Sequence, residues 1–211
     1  MKTGLIFDMD GTLWDSSENV AASWNEKLRE LGYIERPAVT QQDIMRVMGL
    51  TMDKIADIIF ADFSKEQRMA LLDRCCEYEN EYLRRHGAVL YPLLGETLHL
   101  LRQKYPLFIV SNCQQGYIEA FLDHYPFGDC FTDIECYGNN LKSKGENIAL
   151  IAARNGLEQA YYIGDIQGDY DAAQQAGVGF IHAAYGFGTI NVKVPALKAF
   201  SDLPALLEQL T

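Results

Sequence analysis

Apolar residues follow two rhythms along this chain, and the change between them divides it. The first segment is a short unbroken run, Gly4-Leu5-Ile6-Phe7, which is the pattern of a strand buried on both faces. Val20, Trp24, Leu28 and Leu31 then recur at helical spacing until Gly32 ends the series, with Ser16 or Ser17 placed to cap its start. Helical patterns continue over Ile44–Met48, Met52–Ile59 and Lys65–Arg85, and no strand pattern interrupts them. Thr40-Gln41-Gln42-Asp43 and Ser64-Lys65-Glu66-Gln67 have the form of capped helix starts. The stretch 16–86 is too long for a single crossover and reads as an all-helical insertion folded as its own small bundle.

From Tyr91 onward strands and helices alternate. A helix over Thr97–Leu101 runs to Lys104, and the buried strand Pro106–Val110 ends at Ser111-Asn112. A helix over Gly116–Leu122, a strand within Cys130–Cys136 and a helix over Lys144–Asn155 follow. Tyr161–Ile163 is the next strand, then a helix over Asp169–Gln175, a strand over Val178–His182 and a last helix over Leu203–Leu210. Such alternation predicts an α/β fold with a parallel sheet covered on both faces and a ligand site at the carboxyl ends of the strands.

Composition narrows the class. With 211 residues and 48% hydrophobic content, the chain can bury a core sufficient for one domain plus an insertion. Its net charge of −11 argues against nucleic acid or an anionic membrane as the main partner. Cys75, Cys76, Cys113, Cys130 and Cys136 form no C-x-x-C pattern, so reduced thiols are expected and zinc is not. No apolar stretch approaches a membrane span and the first strand begins at once, so a cytoplasmic protein is expected.

The candidate chemistry lies where the strands end. Asp8 and Asp10 follow the first strand one residue apart, so their side chains share a face if the strand continues, and Gly11 lets the chain turn away beyond them. Two carboxylates in one low-dielectric site do not both ionise cheaply without a cation, and a hard ion such as Mg2+ takes oxygen ligands. An Asp-Gly turn closing a strand is the plainer alternative. Ser111 and Asn112 end the second strand, where a hydroxyl and backbone amides could hold a phosphate oxygen or simply make a turn. Ser143-Lys144-Gly145-Glu146 has the form of a capping box and puts Lys144 first in its helix. Gly164-Asp165-Ile166-Gln167-Gly168-Asp169 closes the fourth strand with two acids four apart, of which Asp169 could also be a helix-start acid. Tyr185-Gly186-Phe187-Gly188 reads as a turn, and His182 as a core or edge residue.

Phe7-Asp8-Met9-Asp10-Gly11-Thr12 resembles the signature of the haloacid dehalogenase superfamily, and the other three stations follow in that superfamily's order. The resemblance spans essentially the whole chain and points to the phosphatase branch with a helical C1-type cap. It implies a Rossmann-like core over residues 1–15 and 87–211 with a cap over 16–86. By the same resemblance Asp8 is the nucleophile, Asp10 the general acid and base, and Ser111, Asn112 and Lys144 the phosphate contacts. Branches with Lys-Pro-x-Pro would instead place the lysine at Lys142. Asp8, Asp10 through its backbone carbonyl, and Asp165 would hold Mg2+, with Asp169 holding a bound water or orienting Lys144.

The implied substrate is a small phosphorylated metabolite such as a sugar phosphate or phosphoglycolate. Trp14, Asn19, Trp24 and Arg46 are candidates to face it, Arg46 as a cation for a substrate carboxylate or second phosphate, although Trp24 also fits the core and Arg46 also fits a solvated helix face. A sugar phosphomutase shares all four stations, and a non-catalytic binding protein is a more distant alternative. A monomer or a homodimer is expected.

Overall fold

In the computed structural model, which describes residues 2–210, the first strand lies in the middle of the sheet. The strands are β1 (Thr3–Phe7), β2 (Trp14–Asp15), β3 (Val89–Leu90), β4 (Leu107–Ser111), β5 (Phe131–Cys136), β6 (Gln159–Gly164), β7 (Gly179–Ala183) and β8 (Ala196–Leu197). Six of them form one sheet in the order β5-β4-β1-β6-β7-β8, and every neighbouring pair is parallel. Phe7 pairs with Ile109 on one side and Ile163 on the other, so the ends of β1, β4 and β6 come together at one edge.

Side-chain alternation explains why β1 is apolar throughout. Ile6 packs with Phe108, Ile148, Ile151 and Tyr162 beneath α8 (Lys144–Arg154) and α9 (Gln167–Ala176). Leu5 and Phe7 face the opposite side, towards α5 (Leu94–Leu101) and α10 (Leu203–Leu210), through Leu98, Phe200 and Leu203. Burial on both faces is what a parallel sheet requires.

Residues between β2 and β3 contain only helices among the regular elements: α1 (Ser17–Glu30), α2 (Gln41–Val47), α3 (Met52–Ile59) and α4 (Lys65–His86). Trp14 and Asp15 pair antiparallel with Leu90 and Val89, so the chain leaves and re-enters the sheet layer at one place. The apolar cluster behind β1 continues without a break through Val20, Trp24, Ile44 and Leu72 of these helices. α4 also packs against α6 (Tyr117–His124).

The capping boxes at Thr40, Ser64 and Ser143 are present as read from the sequence. Ser16, one of the two serines expected there, occupies the N-cap position of α1, but its side chain makes no capping hydrogen bond, and Asp15 Oδ1 accepts from the Ser17 amide at 3.0 Å. β2, β3, β8 and the short helix α7 (Tyr137–Asn140) are additions to the expected elements. Each is too short to carry a period. All five cysteines are free and buried, and no helix among the described residues is long and apolar enough to cross a membrane.

Candidate active site

Asp8 continues β1, its amide donating to the Ile163 carbonyl at 2.9 Å, and its side chain is only 3% exposed. Asp165 follows β6, and Asp169 lies in the first turn of α9. Acceptor oxygens of these three carboxylates all lie within 4.8 Å of one another. Lys144, in the first turn of α8, reaches in with its Nζ 3.1 Å from Asp8 Oδ1 and 2.6 Å from Asp169 Oδ1. Lys142 is exposed. The capping box explains the difference, since it starts the helix at Lys144 and turns that side chain under the sheet edge.

Asp169 is held at both oxygens. Oδ2 accepts from the amides of Asp165 and Ile166 at 2.9 and 3.1 Å, leaving Oδ1 for the lysine. Asp165 is wrapped by the chain: its Oδ2 accepts from the Phe187 amide at 2.8 Å, and a methyl group on Gly11 or Gly186 would overlap its carboxylate. Gly11 also holds φ of +81°, a conformation that other residues adopt only with strain. The Tyr185–Gly188 loop, a turn from sequence, therefore belongs to the wall of the site.

The charge does not balance from protein groups alone. Three buried acids face one lysine. Burial, with Asp169 and Asp8 as neighbours, pushes Asp165 up to about 8. Burial does the same to Asp8, up to about 7, against the pull of Lys144. Burial also works against the charge on Lys144, but Asp169 and Asp8 overcome it and hold the ammonium above its ordinary range. An all-oxygen, net-negative donor set of this kind suits a hard divalent cation.

Asp10 stands apart from that cluster. Its Oδ1 accepts from Ser16 Oγ at 2.6 Å and Tyr117 OH at 2.7 Å. Burial raises its pKa to about 6, and those two hydrogen bonds oppose the rise. It is not one of the three clustered acids and lines a cleft together with Ser111, Asn112 and Tyr117. Asn112 Nδ2 donates across to the Gly49 carbonyl at 2.8 Å, tying β4 to the helical insertion.

The structure does not bring Arg46 to this place. Its side chain is 76% exposed, pairs with Asp43 on the same helix and lines a separate surface hollow. The expectation that it faces a substrate is corrected by that geometry: Asp43, three residues back, takes the guanidinium outward. Trp14 is core, packed edge-on against Tyr117, Phe121 and Tyr125, and Asn19 donates to the Gly87 carbonyl. Trp24 is both buried and part of the cleft wall. His182, buried, contacts the Asp165 carbonyl through Nε2 at 3.1 Å. Sequence reading missed Ser16 and Tyr117 as partners of Asp10: Tyr117 lies 107 residues away, beyond any local pattern, and Ser16, six residues on, reads as a helix cap.

The chain matches the family model described as haloacid dehalogenase-like hydrolase over residues 5–183. It is 29% identical to a phosphoglycolate phosphatase of Synechococcus elongatus, covering 98% of this chain and 97% of that one. A phosphoglycolate phosphatase of Pseudomonas putida is 28% identical, over 96% of this chain and 78% of its own length. Among solved structures, one from Haemophilus somnus described as a predicted phosphoglycolate phosphatase superposes with a TM-score of 0.81 at 22% identity, covering 98% of each chain. A haloacid dehalogenase-like family hydrolase of Streptococcus pneumoniae gives 0.73 at 25% identity, covering 99% of this chain and 97% of that one. Four strand-end stations, the central β1 and the match over most of the length converge on one statement: this chain belongs to the haloacid dehalogenase-like hydrolase family.

Proposed function

We propose that this hydrolase is a Mg2+-dependent phosphatase that removes the phosphoryl group from small phosphomonoesters in two steps at Asp8. The observation that carries the reading is the separation of two carboxylates one residue apart. Asp8 is held against Lys144 and the acidic cluster, while Asp10 is held by Ser16 and Tyr117 at the cleft. One environment suits a nucleophile and the other a proton carrier.

In the first step an Asp8 oxygen attacks phosphorus, the bond to the substrate alcohol breaks, and Asp10 gives its proton to the departing oxygen. In the second, Asp10 takes a proton from water as that water attacks phosphorus, and the bond to Asp8 breaks to restore the carboxylate. A pKa of about 6 lets Asp10 serve both steps near neutrality. Lys144 keeps Asp8 ionised and neutralises charge on the transferring group, and Asp169 fixes the lysine. Asp8, Asp165 and the Asp10 carbonyl would hold Mg2+, which would supply charge neutralisation at the phosphoryl oxygens. Ser111 and Asn112 would orient the phosphoryl group, and residues 16–86 would act as the cap that closes the site and selects the alcohol.

Stability should report cation binding. In metal-free protein Asp8, Asp10 and Asp165 have folded pKa values of about 7, 6 and 8, all above their ordinary 3.8. The folded state then binds more protons than the unfolded one between these limits, so stability is greatest below about pH 4 for these groups and falls as pH rises through 8. Mg2+ binds the ionised form. Its gain in Tm, read by thermal denaturation with and without a chelator, is therefore expected to be larger at pH 8 than at pH 5.5. An equal gain at both would contradict the site.

Tyr117→Phe removes a hydrogen bond that holds the Asp10 pKa down. The alkaline limb of kcat/KM, set by loss of the Asp10 proton, is expected to move up by about one pH unit. An unmoved limb would separate Asp10 from the acid step.

Phosphate release from a panel of small phosphomonoesters, with Mg2+ and with a chelator, tests the class. Metal-dependent release from at least one compound is expected, and none from any compound by folded protein would overturn the proposal.

A further inference from the structure

On α4, Leu72, Cys76, Glu79 and Leu83 fall at spacings of four, three and four, the buried stripe of the helix. Glu79 is the one charged residue among those the helix buries, at 3% exposure. Acids seldom take such a position without a partner charge. Its Oε1 accepts from Gln114 Nε2 at 2.9 Å and its Oε2 from Trp24 Nε1, and Trp24 is itself fixed by stacking on Phe60. These are neutral donors. Among the described residues no lysine, arginine or histidine forms an ion pair with Glu79, and burial pushes its carboxyl up to about 7.

The same carboxylate lines the cleft next to Asp10, which encloses about 450 Å³ of atom-free space, part of it open to solvent. Most of the wall is apolar, with Trp24, Ile44 and Val47 on the helical side. Among the described residues lining it there is no lysine, arginine or histidine. Arg46, the cation that sequence offered, points outward to Asp43. A substrate carboxylate placed here would meet two acids and no counter-charge. A donor group would meet an acceptor that has unused lone pairs and lacks a cation.

We propose that Glu79 is the specificity-determining residue of the cleft, and that preferred substrates are phosphomonoesters whose alcohol portion carries an ammonium group on a short apolar frame. Hydroxyl-bearing alcohols rank second and carboxylate-bearing ones last. The inference rests on the phosphatase reading above, and it departs from the substrate for which the curated relatives are named.

The test is kcat/KM for three esters on one two-carbon frame: 2-aminoethyl phosphate, 2-hydroxyethyl phosphate and phosphoglycolate. In the natural chain the amino compound is expected to exceed phosphoglycolate by roughly tenfold or more, the lower end of what a desolvated charge pair contributes. Glu79→Gln is expected to bring that ratio close to one. A residue that only braces Trp24 and Gln114 would lower all three rates together and leave the ratio unchanged. Preference for phosphoglycolate in the natural chain overturns the proposal before any variant is made, as does an unchanged ratio in Glu79→Gln. Acetyl phosphate, an activated reference, separates the two levels of failure. Its Asp8-dependent hydrolysis alongside the wrong order of esters sinks the role of Glu79 alone. No hydrolysis of any compound sinks the phosphatase reading and this inference with it.

Discussion

Asp8→Asn is expected to leave the chain folded and to lower turnover by about 10⁴-fold or more, the scale seen when a covalent nucleophile is removed from a group that acts as a unit. The amide keeps the shape of the side chain but cannot form the aspartyl-phosphate. Stability should move the other way. Asp8 is buried, and its carboxyl is raised to about 7, so its charge opposes folding at pH 8 when no metal is bound. The variant is therefore expected to be at least as stable as the natural chain in chelator at that pH. Steady-state phosphate release and urea denaturation measure the two effects. Retained Mg2+-dependent turnover in Asp8→Asn would assign the nucleophile elsewhere.

Lys144→Ala carries the second large effect, and here both quantities fall. Its ammonium is the one protein cation paired with Asp8 and Asp169 among the described residues. Removing one partner of a buried pair costs about 3–5 kcal/mol, because the charges left behind stay uncompensated. That cost is present only while the acids are ionised. Without the lysine the folded pKa of Asp8 rises further, so the variant should stand close to the natural chain at pH 5 and fall well below it at pH 8 in the absence of metal. Turnover is expected to drop by about 10²–10³-fold, as when a preorganised group is taken from a transition state. Urea denaturation at the two pH values and phosphate release decide it. A stability loss of equal size at both would mean that the side chain packs and does not neutralise.

How far such a site can be read from sequence depends on whether the determining contacts are local. The apolar run before Asp8 and Asp10 announces a strand ending in acids because both facts sit within a few residues. The choice of Lys144 over Lys142 is equally local, since the Ser143–Glu146 capping box fixes where α8 begins. The order of strands is less so. That β1 lies between β4 and β6 follows from pairings more than 90 residues apart, which no local residue pattern carries.

Contacts that reach across the chain leave little local signal. Ser16 takes the N-cap position of α1, yet its hydroxyl serves Asp10 and Tyr117 instead of the helix, and Asp15 accepts from the Ser17 amide. Arg46 is a local case: of its two readings, a cation for a substrate or a solvated helix face, the pair with Asp43 one turn earlier on the same helix supports the second. Glu79 stands in sequence among the other charges of α4. The signal was available as an acid at an apolar position of the stripe, but its meaning depended on Trp24 and Gln114, both distant in sequence. The Tyr185–Gly188 loop looked like a turn and is one, but its backbone closes on Asp165.

The central claim is that phosphoryl transfer passes through Asp8. It is tested most directly by quenching the enzyme during turnover, reducing with borohydride and analysing the peptide that contains residues 4–13. Phosphorylated Asp8 is reduced to homoserine, so the account predicts that conversion at Asp8, absent when substrate is omitted. Efficient turnover with an unmodified Asp8, or with the reduced residue at another position, would contradict it.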